Sequence, residues 1–100
     1  MAGQVTQLRE LIENRLLDAP SVSLVDVLAA FDHQNHCLPT TWRWNKAIAE
    51  VAEPLVLSAD RTHVELSTGP KLAKLSDSDV SRVVALYLST VRHKQPGYEA

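Results

Sequence analysis

The stretch from Leu55 to Leu66 constrains the fold of this chain more than any other. Leu55-Val56-Leu57 and Thr62-His63-Val64-Glu65-Leu66 flank Ser58-Ala59-Asp60-Arg61, a four-residue connection of hairpin length. Thr62, Val64 and Leu66 fall on one strand face, and His63 and Glu65 on the other. Apolar residues elsewhere recur at helical spacing, so the ribbon must share its interior with helices. With 100 residues the chain is one small domain, too short for two independent cores. The expected class is α+β, mostly helical, over residues 1–100.

Periodicity places the helices. Val5, Leu8, Ile12 and Leu16, widened by Leu11, predict an amphipathic helix over 4–17, stopped by Asp18-Ala19-Pro20-Ser21. Ser23 has the chemistry of an N-cap, with Asp26 three residues on. Behind it, Leu24, Val27, Leu28 and Phe31 predict a second helix over 24–32, ending in a polar, irregular segment to Pro39. A third helix begins near Thr40 or Thr41, buries Trp44, Ala47, Ile48 and Val51, and closes at Pro54. After Gly69-Pro70, Ser76-Asp77-Ser78-Asp79 caps a last helix over 76–93. Residues 95–100 are expected to be a flexible tail.

Helix, helix, helix, hairpin, helix is the order of a winged-helix-like core with one helix appended. Such a core can lay its third helix in a nucleic-acid groove, with the hairpin on the backbone beside it, or serve as a protein-binding module. The span 8–66 resembles a LOTUS (OST-HTH) winged helix. The resemblance is carried by Leu8-Arg9-Glu10-Leu11-Ile12, by Ser23-Leu24-Val25-Asp26-Val27-Leu28 with Phe31, by Leu38-Pro39, and by Leu55-Val56-Leu57 with Val64-Glu65-Leu66. In place of the Gly-Phe pair usual near that family's third helix stands Trp42-Arg43-Trp44-Asn45. The resemblance implies RNA-binding or helicase-binding roles.

Charge argues against a dedicated polyanion binder. The net charge is -2, and residues 1–60 hold four Lys/Arg against eight Asp/Glu. Candidate contacts to a partner or nucleic acid are Trp42, Arg43, Asn45 and Lys46 at the start of the third helix. Arg61 at the hairpin tip, with Lys71 and Lys74 beyond it, would form a backbone-contacting wing. The last helix has more apolar surface than one stripe needs. Val83, Leu86 and Tyr87 are therefore assigned to a homodimer interface.

Catalytic and metal chemistry are not expected. His33, His36 and Cys37 are the sequence's one metal-like cluster, but they offer three candidate ligands with no second pair nearby. The three glycines, Gly3, Gly69 and Gly97, are too scattered for a phosphate-binding loop. A lone cysteine fits a reducing compartment. No secretory pattern opens the sequence, and no apolar run is long enough to span a bilayer. The expectation is a cytoplasmic, non-enzymatic module without cofactor that binds another protein; nucleic-acid regulation is the alternative.

Overall fold

A computed structural model describes residues 3–69 and 73–91. Three helices come first in the chain's order: α1 (Gln4–Leu16), α2 (Leu24–Asn35) and α3 (Thr41–Glu50). Strand β1 (Ser21–Ser23) lies between α1 and α2. A hairpin of β2 (Leu55–Leu57) and β3 (His63–Leu66) follows α3, and α4 (Asp77–Leu86) runs into a π-helical turn over Tyr87–Val91. The fold is α+β, four helices with a small antiparallel sheet.

Helices α2, α3 and α4 each start where a side chain satisfies free backbone N–H groups, whereas α1 starts at Gly3 without a side-chain cap. Ser23 accepts from the Asp26 amide (3.3 Å) and Thr40 from the Arg43 amide (3.2 Å). Ser76 and Asp79 form a complete capping box: the Asp79 amide donates to the Ser76 hydroxyl, and the Ser76 amide to the Asp79 carboxylate. At its far end α2 runs three residues beyond the predicted stop, through Gln34 and Asn35. It closes at His36, whose φ of 56° is the left-handed conformation of a helix C-cap. The Asn35 side-chain amide donates to the Phe31 carbonyl (3.0 Å), which supports that last polar turn.

The sheet contains a strand that periodicity does not reveal. In the order β1-β3-β2, β3 is central and Ser21-Val22-Ser23 pairs along its outer edge. Val22 stands opposite Val64, and Leu57 stands opposite the same Val64 from the other side. That row faces the helices. Val22, Leu55 and Val64 are fully buried with Leu8, Ile12, Leu24, Leu28, Phe31, Trp44 and Ile48. Burial of this aliphatic set is the main force holding the fold, since a three-stranded sheet of three- and four-residue strands has little stability alone.

Helix α4 closes the remaining side. Val83 and Tyr87 are 1% and 2% exposed, and the Tyr87 hydroxyl donates to an Asp32 carboxylate oxygen on α2 at 2.6 Å. Both were assigned to a dimer interface, and both belong instead to the chain's own core. The surplus apolar face of α4 is consumed by α2. Of that trio Leu86 alone is partly exposed, at 36%. Lys71, residues 92–93 of the expected last helix and the tail 95–100 lie outside the described residues. No helix among the described residues is long and apolar enough to cross a membrane.

Candidate functional site: the outer face of the third helix

Helix α3 carries two indoles with opposite fates. Trp44 shares the inward stripe with Ala47 and Ile48 and is 1% exposed. Trp42, two positions earlier and so well round the helix, is 67% exposed. At three, four and seven residues from Trp42 stand Asn45, Lys46 and Ala49, the spacing of one helix face. Beside that face opens a depression of about 320 Å³ lined by Asn45, Ala49, Ala73 and Lys74.

The depression exists because Asn45 holds its far wall. The Asn45 side-chain amide donates to the Leu75 carbonyl at 2.8 Å, and its carbonyl accepts the Leu75 amide at 2.7 Å. This two-point clamp docks the segment that leads into α4. It corrects the assignment of Asn45 as a partner contact, because both polar ends of the side chain are already engaged in holding backbone. Asn45→Ala removes partners from two backbone groups at once. It is expected to destabilise the fold by about 1–3 kcal/mol in a urea titration, with the loss centred on the 73–75 segment in hydrogen exchange.

The hairpin tip is corrected more severely. Arg61 has a left-handed φ of 60°, and its guanidinium meets the Asp79 carboxylate through two 2.7 Å bonds, Nε to Oδ1 and Nη2 to Oδ2. Arg82, on α4, also donates to the Asp60 carbonyl at 3.3 Å. Asp60 itself accepts from the Ser58 hydroxyl (2.6 Å) and from the Thr62 hydroxyl and amide (2.8 and 3.1 Å). Those bonds, the one from Ser58 foremost, lower its pKa to about 2. The tip is thus pinned to α4, and Arg61 is not a free cation waiting for phosphate. The physical reason is proximity. Asp79 is 9% exposed in its side chain and must be matched, and Arg61 is the group placed to match it.

Among the remaining candidates, Lys46 pairs with Glu50 (3.7 Å), which also meets Arg9 (3.8 Å); Arg9 reaches Glu13 (3.6 Å). These are surface contacts of small energetic weight. Arg43 and Lys74 have no ion pair among the described residues. His33, His36 and Cys37 are all exposed and do not converge. Cys37 Sγ receives a contact from the Gln4 side-chain amide (3.6 Å), and no group of three or more His, Cys, Asp or Glu able to hold a metal occurs among the described residues.

Two features escaped the sequence reading. One is the Asp79 carboxylate's second task, invisible because Arg61 lies 18 residues away. The other is an apolar groove at the opposite end of the molecule, where Leu17 and Leu66 are 84% and 41% exposed. A single exposed leucine carries no signal in a sequence. Compared with known proteins, the chain matches no family model, no curated protein and no solved structure.

Proposed function

We propose that this chain is a non-enzymatic protein-binding module that engages its partner through the outer face of α3, with Trp42 as the anchor. The observation that carries this reading is the 67% exposed indole on the helix face whose Asn45 and Ala49 line a preformed depression. Exposed tryptophans adjoining a pocket are favoured as interaction hot spots, because a large rigid ring buries much area at little entropic cost. Lys74 in the lining of the depression, and Arg43 next to Trp42 in the chain, supply positive charge suited to carboxylates on the partner.

The alternative, a winged-helix nucleic-acid regulator, is supported by the element order, with β1 between the first two helices and a hairpin after the third. It is weakened by the chemistry of the same elements. The wing cation Arg61 is neutralised by Asp79, and Asn45 is occupied by the Leu75 backbone. Lys46 sits against Glu50. Few phosphate contacts then remain, and affinity for a polyanion scales with their number. A LOTUS-type role toward RNA or a helicase rests on the sequence resemblance alone.

Affinity capture on immobilised wild-type chain and on Trp42→Ala, with nuclease present, tests the proposal. Specific proteins retained on the wild type should fall about tenfold or more on the variant. Equal recovery on both baits would remove Trp42 as the anchor. Micromolar binding of labelled duplex DNA or single-stranded RNA that collapses as salt rises would favour the alternative instead.

A further inference from the structure

At the end of the molecule where α1 and α3 finish, Leu16, Leu17, Ala52 and Leu66 line a groove of about 170 Å³, and Glu13 and Glu53 complete its lining. Leu17 is the C-cap of α1, and Ala52 follows Val51, the C-cap of α3. Two helix C-termini therefore meet at one apolar groove. Each helix dipole places roughly half a negative charge at its carbonyl end. Arg15 offsets one of them in part, donating to the Leu11 carbonyl at 3.2 Å, and α3 has no basic residue in its last turn. Glu53 has no ion pair among the described residues, and Glu13 meets Arg9 at a loose 3.6 Å.

Four sources of negative potential thus surround an opening whose floor is leucine and alanine. Leu17 and Leu66 are the first and third most exposed large apolar side chains among the described residues. Water solvates neither leucine well, and a neutral apolar ligand would leave the carboxylates desolvated and unmatched. A ligand complementary to both must bring an apolar side chain with cationic groups close beside it.

We propose that this groove docks a basic amphipathic segment of a partner protein, a leucine-type anchor flanked by Lys or Arg. The anchor enters between Leu16, Leu17 and Leu66. The cationic heads reach Glu13, Glu53 and the carbonyl ends of α1 and α3. The surface is separate from the Trp42 face and does not depend on it.

The test uses two synthetic helical peptides of about 15 residues with the same leucine positions, one carrying Lys and the other Glu on its flanks. Each is titrated into the isotopically labelled chain and followed by amide chemical shifts. The Lys peptide should shift Leu16, Leu17, Ala52 and Leu66 with a Kd of roughly 100 μM or tighter, weakening as salt rises. Glu13→Gln with Glu53→Gln should weaken it about fivefold or more. Removing the same number of charges through Glu10→Gln with Asp26→Asn should not. Equal binding of both peptides, shifts elsewhere, or no binding at millimolar peptide would overturn the proposal. So would a concentration-dependent dimer in sedimentation that Leu17→Glu abolishes, which would give the groove to a second copy.

Discussion

Trp44→Ala is expected to cost about 3–5 kcal/mol, enough to leave a domain of this size largely unfolded at moderate temperature. Its indole is 1% exposed and sits in the same core as Leu8, Phe31 and Ile48. Removing it leaves a cavity that close-packed neighbours can fill only in part. Trp42→Ala, by contrast, should change stability by no more than about 0.5 kcal/mol, since its ring is mostly in water. The pair is measured by guanidinium unfolding, and in the Trp42 variant the fluorescence of Trp44 alone reports the core. Similar losses for both variants would place Trp42 inside and remove its role as an anchor. A third variant sharpens the case. The Trp44 indole N–H is buried with no hydrogen-bond partner among the described residues. Trp44→Phe deletes that unmatched donor while keeping most of the packing, so it should cost under about 1.5 kcal/mol.

The second large effect belongs to Asp79→Ala, expected to destabilise by about 2–4 kcal/mol. The carboxylate closes the capping box of α4 and receives both bonds from Arg61, so one substitution removes a helix cap, worth about 1 kcal/mol, and a charge-assisted pair. Loss of the pair should also free the hairpin tip, seen as faster amide exchange around Ser58 to His63. A drop of less than about 1 kcal/mol would mean that the clamp holds nothing in place.

The same carboxylate makes the fold acid-sensitive. The Arg61 guanidinium, helped by the Ser76 amide, holds the Asp79 carboxyl well below the usual carboxylate range. A group whose pKa is lower folded than unfolded contributes stability above its unfolded value, near pH 4. That contribution drains away as pH falls further toward the folded value. Asp60, lowered to about 2, acts in the same direction. Stability should therefore decline between about pH 4 and pH 2, and Asp79→Asn should flatten much of that decline. A wild-type curve as flat as the variant's over this range would show that the clamp is not formed in solution.

Local features of the chain were legible without coordinates. The caps at Ser23, Thr40 and Ser76 are all in place, as are the buried stripe Trp44-Ala47-Ile48 and the Leu55–Leu66 hairpin. Each depends on side chains within a few residues of one another, where helix and strand periodicity dictate who meets whom. The α2 boundary slipped because Asp32 to Asn35 look like loop in composition, whereas the helix continues through them to a left-handed cap.

The candidate site was half legible. That one tryptophan of the pair points outward follows from a two-residue offset on a helix, and the exposure of Trp42 bears it out. What each polar neighbour does there was not accessible. Asn45 and Leu75 are 30 residues apart, Arg61 and Asp79 are 18 apart, and Tyr87 and Asp32 are 55 apart. Strand β1 is three residues with a single valine, recognisable only once β3 lies alongside it.

By itself, then, the order of residues determined which segments coil, where they start, and which of their faces are apolar, because those properties arise from neighbours along the backbone. Tertiary structure decided which charges remain available to a partner and which are consumed within the chain. An ion pair or an amide clamp forms according to distance in space, and no local pattern encodes the closing of a gap 18 or 30 residues wide.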